Sequence, residues 1–335
     1  MYMSLKSKNI LQRILKTLAF PLIICVFFAI ATKGTLFTSR SILAILRQSV
    51  LPALVIMAMT PNLSLGMMDM SVGAVVMTSA IIGGNLMNAT GWGTPGLLVF
   101  CIAVSILMTT LTGILNNKLR VPILVLSLGL MLVYEALPRI LFPSDSGAII
   151  KLKFAKLSQI PYILIILAVS AVAFYIILNL TTYGHNLRAL GGNDELARRA
   201  GLNINKIKLL SFIISGFFAG IAGTLYMSSN GQVYTPAAFG SISTVMDAFL
   251  GLFLGMFLSR FCDTTVGLII AVITMTTMTN GFVIMGIDAT YRDILKSVVL
   301  FLLLAFSGNQ TYFIRWRSGI KRAAAANAAY ENARI

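Results

Sequence analysis

The sequence predicts an all-α integral membrane protein with about ten transmembrane helices per chain. Three observations support this fold class: 58% of the 335 residues are hydrophobic, only 11% are charged, and the mean hydropathy is +0.90. A soluble domain carries about 25% charged residues because its surface faces water. A spanning helix needs roughly 20 apolar residues, so about ten spans fit in this chain and leave room for short loops.

Ten apolar runs, separated by polar or basic segments, are the predicted spans. Arg47, Gln48 and Pro52 interrupt the second run, and a buried or broken helix accommodates them better than a helix facing lipid. The first run follows four basic residues, a pattern shared by a cleaved signal peptide and a retained first helix, and the membrane protein downstream favours the retained helix. The spans lie near residues 14–32, 41–60, 66–88, 95–116, 121–142, 161–182, 207–228, 244–262, 264–286 and 290–307.

The distribution of basic residues predicts that both termini lie in the cytoplasm. In this orientation 17 of the 26 Lys and Arg residues are cytoplasmic and 8 are outside, as the positive-inside rule expects. Lys151, Lys153 and Lys156 are exceptions, because they fall in the outer segment 143–160. Clustering of the basic residues between apolar runs also argues against nucleic-acid binding, despite the net charge of +16.

Four parts follow from this scheme, and no internal sequence repeat is evident. Residues 1–13 are predicted as a cytoplasmic amino-terminal segment and residues 14–307 as the transmembrane domain. A cytoplasmic loop at 183–206 lies within that domain. A basic, Ala-rich cytoplasmic tail at 308–335 completes the chain.

The sequence contains no constellation suited to catalysis or to metal binding. Cys25, Cys101 and Cys262 fall in or beside apolar runs without metal-ligand spacing. His185 is the sole histidine, and it has no cysteine or acidic cluster beside it. There is no phosphate-binding loop of the Walker type. Energy for any active process must therefore come from another chain.

The cytoplasmic loop carries the local signals of a short helix. Asn193 suits its amino-terminal cap, and Asp194 and Glu195 suit the positive end of the helix dipole. Arg199 suits the other end and is spaced i,i+4 from Glu195, while Gly201 can end the helix in the left-handed conformation. Such a helix can transmit a push from a soluble partner; a surface loop that merely orders itself is an equally weighted alternative.

Three sequence blocks occur in an order known from one family. The loop block runs Arg188-Ala-Leu-Gly-Gly-Asn through Ala200-Gly-Leu-Asn-Ile-Asn-Lys-Ile-Lys, then Ser215-Gly-Phe-Phe-Ala-Gly-Ile-Ala-Gly223. Met68-Asp-Met-Ser-Val-Gly73 is similar to that family's Ile-Asp-Leu-Ser-Val-Gly motif. Lys118-Leu-Arg-Val-Pro122-Ile precedes Ser127-Leu-Gly129. Over most of residues 40–310 the chain thus resembles the permease subunits of ribose-type, simple-sugar ABC importers, in the branched-chain amino acid and ribose permease superfamily.

The resemblance implies a permease subunit of the bacterial inner membrane that functions as a dimer. It implies import of a sugar or related small polar solute (a pentose, hexose, nucleoside or furanosyl signal) by alternating access. It further implies an ABC ATPase subunit that holds ATP and Mg, no cofactor in this chain, an extracytoplasmic solute-binding protein, and a second permease chain in a homodimer or heterodimer. The coupling residues it implies are Gly191, Gly192, Asn193, Asp194, Glu195, Ala197, Arg198, Arg199 and Gly201.

The chain departs from the family pattern in two places. Met67 replaces the second of two glycines before the motif aspartate. Leu254-Gly255-Met256-Phe257, followed by Arg260-Phe261, replaces a Gly-Gly-Thr-Ser segment and a second Gly-Gly. Because glycines let helices approach closely, these replacements imply altered packing around the translocation pathway and favour a heterodimer over a homodimer.

Polar groups within the spans are candidates for the pathway, because such groups are costly in a membrane. Asp69 falls just inside the third predicted span, where it can instead complement the helix dipole. Glu135 and Arg139, four residues apart in the fifth span, are either a functional pair or a partly hydrated pair at the rim. The candidate pathway residues are Asp69, Ser71, Asn85, Ser127, Asp247 and Asn280.

Two other classes of protein remain as alternatives. An ion-coupled secondary transporter of a small polar solute requires acidic groups near the bilayer midplane, and the sequence places few acids deeply. A membrane-embedded enzyme requires a catalytic constellation that the sequence does not contain.

Overall fold

The chain is almost entirely helical in the residues that its computed structural model describes. These are 2–119, 121–143, 147–192, 197, 199 and 201–308; for 2–16, 152–153, 192, 303–304 and 306–308 only the backbone is described. The helices are α1 (Tyr2–Ala31), α2 (Ser39–Ser64), α3 (Val72–Thr90), α4 (Gly93–Lys118), α5 (Ile123–Leu141), α6 (Tyr162–Asn179), α7 (Thr182–Gly192), α8 (Ile204–Asn230), α9 (Ile242–Leu258), α10 (Thr264–Ile284) and α11 (Ala289–Gly308).

Each of the ten predicted spans coincides with one helix. Seven helices, α2 to α6, α8 and α10, are long and apolar enough to cross a membrane, while Thr17–Ala31 of α1 and all of α9 form shorter apolar helices. The prediction of an all-α, multi-pass membrane protein is therefore confirmed. The predicted third span is wrong at its beginning, because α3 begins at Val72 and not at 66.

Helix α8 packs at the centre, against α2, α3 and α4. Its glycines make the contact with α4 close: a Cβ atom on Gly220 would lie 2.5 Å from the Cα of Ile102. Ser105 of α4 donates its hydroxyl to the carbonyl of Gly216 at 2.6 Å. The Gly-rich block 215–223 thus serves backbone approach between helices, as small residues do in membrane proteins.

Helices α5 and α6 lie at the periphery and expose much of their apolar surface, whereas α3 and α8 are mostly buried. On α6 the exposed side chains include Ile165, Val169 and Val172. Exposing such a face to water would be unfavourable, since removing each CH₂ group from water stabilises a protein by about 0.8 kcal/mol. The exposed apolar faces are those that a membrane interior covers.

A two-stranded antiparallel sheet marks one end of the helix bundle. Strand β1 (Gly147–Ile149) pairs with β2 (Gln232–Tyr234), with Ala148 opposite Val233. Both of these central residues are buried. We refer to this end as the sheet end and to the opposite end, which carries α7, as the α7 end.

The chain forms two compact units, residues 1–285 and 286–335. The first contains α1 to α10 and the sheet. Within the described part of the second, α11 contains an ion pair one turn apart, with Lys296 Nζ 2.9 Å from Asp293 Oδ1.

Candidate functional site

Two helices of the bundle begin side by side. A Cβ atom on Gly73, in the first turn of α3, would lie 2.6 Å from the carbonyl oxygen of Ser241 and 2.5 Å from the Cγ2 of Val245. Ser241 is the residue before α9. The missing side chain of Gly73 therefore lets the amino ends of α3 and α9 touch. We call this place the α3–α9 junction.

The junction lies deep within the bundle. Helices α3 and α8 run in parallel, because Gly223 lies against Ser79 and Gly84 lies against Met227. At 1.5 Å per residue, Gly223 lies about 28 Å from the amino end of α8. Helix α3 begins about 10 Å before Ser79, measured along its own axis. Helix α3 thus begins about 18 Å along α8, whose full length is about 40 Å.

A non-helical segment of the chain leads into each of these two helices. Residues 65–71 connect α2 to α3, and residues 231–241, which include β2, connect α8 to α9. The order of long helix, break and shorter helix therefore occurs twice. Interrupted helices of this kind form solute sites in many transporters, because the backbone groups that the break releases can face a cavity.

We call residues 65–71 the first break and residues 231–241 the second break. Side chains from the first break itself and from α5 hold the first break in place by hydrogen bonds. Asp69 Oδ1 accepts hydrogen bonds from the backbone N–H of Ser71 at 2.9 Å and from its hydroxyl at 2.6 Å. The hydroxyl of Ser127, on α5, accepts the backbone N–H of Met70 at 3.1 Å. Asp69 is buried, but it lies before α3 and not inside it as the sequence predicted. Asp69 belongs to the non-helical segment 65–71, which separates it from the first turn of α3.

Helix α5 also holds the second break, through Glu135. Its carboxylate accepts the backbone N–H groups of Phe239 and Ser241, both at 2.8 Å, and the Ser241 hydroxyl at 2.6 Å. Arg139 donates to the carbonyl of Pro236 at 2.8 Å. Glu135 is only 3% exposed. The interpretation of Glu135 as part of a partly hydrated pair at the rim is therefore wrong. The second break, which is far from Glu135 in the sequence, covers its carboxylate.

The electrostatics of the junction follow from these contacts. The amino end of a helix carries partial positive charge, and each of the two helices here has one buried carboxylate beside that end: Asp69 at α3 and Glu135 at α9. All the hydrogen bonds described for Asp69 go to Oδ1, and Oδ2 has no partner among the described residues. The amino ends of both helices thus each already have a carboxyl group beside them.

The other candidate pathway residues lie apart from this group. Asn85 donates to the carbonyl of Gly147 in β1 at 3.0 Å, at the sheet end. Asn280 donates to Gln48 Oε1 at 2.8 Å and to the carbonyl of Thr276. Asp247 is exposed on α9. The structure brings Asp69, Ser71 and Ser127 together at the junction but not Asn85 or Asn280.

The predicted coupling residues lie at the end of α7 and after it. Gly191 lies against the carbonyl of Ser64 at the end of α2, and Gly192 is the last residue of α7. Ala197 is buried, Arg199 is exposed, and Gly201 has a φ angle of +80°, the left-handed conformation that the sequence predicts. The remaining predicted coupling residues lie outside the described part of the chain: Asn193, Asp194, Glu195 and Arg198.

Gly73 and Glu135 are two residues of the junction whose contacts the sequence did not predict. Gly73 stood within a recognised motif, but its partner Ser241 is far away in the chain, so no local signal indicated the contact. Among the described residues no group of His, Cys, Asp and Glu side chains could hold a metal ion. The junction is therefore a site of hydroxyl, carboxylate and backbone groups.

Comparison with known proteins places the chain in a family of membrane transport components. The family described as branched-chain amino acid transport system / permease component matches residues 41–304. That range includes the junction, both breaks and α7. No solved structure gives a significant match.

Several similar proteins carry the name autoinducer 2 import system permease protein LsrC. The one from Photorhabdus luminescens is 26% identical over 291 residues, which cover 84% of this chain and 83% of that protein. Those from Yersinia pseudotuberculosis (strain IP 31758) and Yersinia enterocolitica (strain NCTC 13174 / 8081) are also 26% identical, over 84% of this chain and 78% and 76% of their own lengths.

Proposed function

Because this chain belongs to the branched-chain amino acid transport system / permease component family, we propose that it is the membrane-spanning subunit of an ABC importer for a sugar or related polyhydroxyl solute. It lies in the bacterial inner membrane as a multi-pass protein. In this proposal ten helices cross the membrane, both termini are cytoplasmic, and the α7 end faces the cytoplasm.

The observation that carries the proposal is the junction of two interrupted helices at mid-depth. Gly73 allows the amino ends of α3 and α9 to touch, and Ser71, Ser127 and Ser241 are all buried around them. A solute passing this point would meet serine hydroxyl and carboxylate oxygens, which can hydrogen-bond to sugar hydroxyls. Alternating access would expose this point first to one side of the membrane and then to the other.

The charge balance of the junction favours a neutral solute. An amino acid carboxylate would seek the backbone N–H groups at a helix amino end, and a carboxyl group already placed there competes with it. Here Asp69 and Glu135 already occupy those positions. The similar proteins are named for import of autoinducer 2, and we extend this to the class: a neutral furanosyl or other sugar-like solute, in place of a branched-chain amino acid.

Energy would come from an ATPase that binds beside α7. Gly191, next to the last residue of α7, lies against the carbonyl of Ser64 at the end of α2, so the end of α7 is held directly on the bundle. One chain offers one predicted coupling segment, and an ABC importer has two ATPase subunits, which hold ATP and Mg. We therefore propose a dimer of permease chains, and the replaced glycines around Met256 favour a heterodimer.

The sheet end would receive the external solute-binding protein. Lys151 and Lys156 are exposed there, and Arg47 donates to the hydroxyl of Ser158 at 3.5 Å. Lys151, together with Asn88 and Phe154, lines a cavity of about 370 Å³. The positive-inside rule predicts few lysines on the outer side of the membrane. An acidic surface on the binding protein would explain why lysines nevertheless occur there.

The test is uptake of labelled solutes by cells that express this chain together with its candidate ATPase and solute-binding protein. We expect accumulation of at least one of ribose, glucose, adenosine or autoinducer 2, and none of leucine. Arsenate, which depletes ATP, should abolish uptake, whereas an uncoupler at constant ATP should not. Uptake of leucine alone would overturn the proposed solute class.

An ion-coupled transporter is the second candidate, and one observation favours it. Asp69 Oδ2 is buried without a hydrogen-bond partner among the described residues, and an acid at mid-depth is what ion coupling requires. Glu135 is less suited, because both of its oxygens accept hydrogen bonds. Uptake that survives arsenate and collapses with the proton or sodium gradient would establish this candidate in place of the first.

A further inference from the structure

Three polar side chains at the α7 end connect three helices through hydrogen bonds. Arg188 of α7 donates from Nη1 to Oδ1 of Asn179 at 2.9 Å. Asn179, the last residue of α6, donates from Nδ2 to Oδ2 of Asp263 at 2.9 Å. Asp263 caps α10, since its Oδ1 accepts the backbone N–H of Thr265 at 2.9 Å. We call Arg188, Asn179 and Asp263 the relay.

The chemistry of Asn179 suits the middle of this relay. Its side-chain amide offers an acceptor to a cation on one side and a donor to a carboxylate on the other. An aspartate at this position would accept from Arg188 but repel Asp263. A leucine of similar volume would make neither bond.

Helix α7 lies directly on the backbone of its neighbours. Gly184 lies against the carbonyl of Leu178 at the end of α6, and Gly191 lies against the carbonyl of Ser64 at the end of α2. A side chain at either glycine would collide with main-chain atoms, which cannot move aside cheaply. Helix α7 therefore moves together with the ends of α2 and α6.

Beside these contacts, α7 also borders a cavity. This cavity of about 420 Å³ lies between α7 and the ends of α9 and α10, with Asn179, Arg188, Met256 and Thr264 among its lining residues. Where this cavity separates α7 from α9 and α10, open space interrupts the direct packing between them. The relay crosses the region with hydrogen bonds instead.

From α10 the contact continues to the α3–α9 junction. A Cβ atom on Gly255 of α9 would lie 2.6 Å from the Cδ2 of Leu268 and 3.1 Å from its Cα. Helices α9 and α10 are therefore packed backbone to backbone. Helix α9 begins at the junction, so a displacement of α10 at the α7 end reaches the proposed pathway through α9.

We propose that Asn179 is a positioning residue that transmits the displacement of α7 to the amino end of α10, and through α9 to the pathway. The proposal rests on the proposed function, because it takes the displacement of α7 to be driven by an ATPase. It assigns Arg188 and Asp263 as the two ends of one mechanical connection. The three residues thus act as a unit.

The first measurement compares uptake with ATP hydrolysis in the reconstituted importer. Asn179→Leu should leave ATP hydrolysis within about twofold of the unmodified complex, but lower solute uptake per ATP by about tenfold, since two charge-assisted hydrogen bonds are lost. Asp263→Asn retains an acceptor for the α10 cap and should lower uptake per ATP by a smaller factor. Asn117→Leu is the matched control: Asn117 donates to the carbonyl of Asn205 at 3.0 Å, outside the relay, and its substitution should leave uptake per ATP unchanged.

The second measurement needs this chain alone, in lipid nanodiscs, and no ATPase. Hydrogen exchange is followed in peptides that contain the Thr265 amide, whose N–H is bound by Asp263. Arg188→Gln should speed exchange there by about threefold to tenfold, the effect of one weakened charged hydrogen bond. In the Asn179→Leu background, Arg188→Gln should add nothing.

The outcomes separate this inference from the proposed function. An equal effect of Arg188→Gln in both backgrounds overturns the relay, whatever drives transport. Normal uptake per ATP in Asn179→Leu overturns the positioning role of Asn179 even if the exchange experiment shows coupling. Failure of the proposed function would instead be visible in the unmodified importer, as uptake that does not depend on ATP.

Discussion

The carboxylate of Glu135 binds Ser241 twice, through the backbone N–H at 2.8 Å and through the hydroxyl at 2.6 Å. The two residues are 106 positions apart in the chain, and Ser241 immediately precedes α9. Hydrogen bonds to a buried carboxylate are among the strongest in proteins. Helix α5 and the beginning of α9 are therefore fixed to each other.

The Glu135 contacts predict a graded loss of stability. Glu135→Ala removes three hydrogen bonds and leaves N–H donors of the second break unpaired, so the free energy of unfolding should fall by about 3 kcal/mol. Glu135→Gln has one acceptor oxygen in place of two, and the loss should be about 1.5 kcal/mol. Equilibrium unfolding in mixed detergent micelles measures both. Equal stability of the two variants would contradict the assigned contacts.

The contact of Gly73 with Ser241 predicts that the smallest substitution disrupts transport. In Gly73→Ala the added methyl group meets the Ser241 carbonyl, and overpacking of this kind costs about 1–3 kcal/mol. Solute uptake should fall by about tenfold to a hundredfold. Gly129→Ala is the control, because a Cβ atom there meets nothing within 4 Å. Uptake that falls equally in both variants would show that the loss is not due to the junction.

The exposed lysines of the sheet end predict a salt-dependent docking surface. The double substitution Lys151→Glu and Lys156→Glu should weaken binding of the solute-binding protein by about tenfold at low salt, mainly through a slower association rate. The difference should shrink at high salt, where the charges are screened. Binding to the nanodisc-embedded importer is measured by surface plasmon resonance. Lys206→Glu, at the opposite end, should have no effect, and an equal effect there would rule out a local docking surface.

The position of Asn85 predicts a structural role at the sheet. Asn85→Ala removes the hydrogen bond to the Gly147 carbonyl, so amide exchange in β1 should accelerate by about fivefold, the effect of a bond worth about 1 kcal/mol. Asn88→Ala should act similarly, because Asn88 donates to the Ile149 carbonyl at 2.7 Å. The KM for uptake should stay unchanged in both variants. If the KM rises in Asn85→Ala but not in Asn88→Ala, Asn85 contacts the solute pathway and its role is not only structural.

Local patterns explain which predictions were confirmed. Apolar runs of about 20 residues are typical of spanning helices. Each predicted span coincides with a helix, and seven of these helices are long and apolar enough to cross a membrane. The left-handed conformation of Gly201 also follows from local chemistry. Asp69 shows where local reasoning fails: the apolar run gave no sign that α3 begins only at Val72.

By itself, the amino-acid sequence determined the membrane environment, the approximate limits of the helices and the resemblance to importer permeases, because hydrophobicity and short motifs are local properties. Only the tertiary structure decided that α3 and α9 begin at a common junction, that Glu135 is buried beneath the second break, and that Asn179 bridges Arg188 and Asp263. Each of these contacts joins residues that no periodicity connects. Their pairing depends on how whole helices pack, and that packing is set by the summed contacts of the bundle.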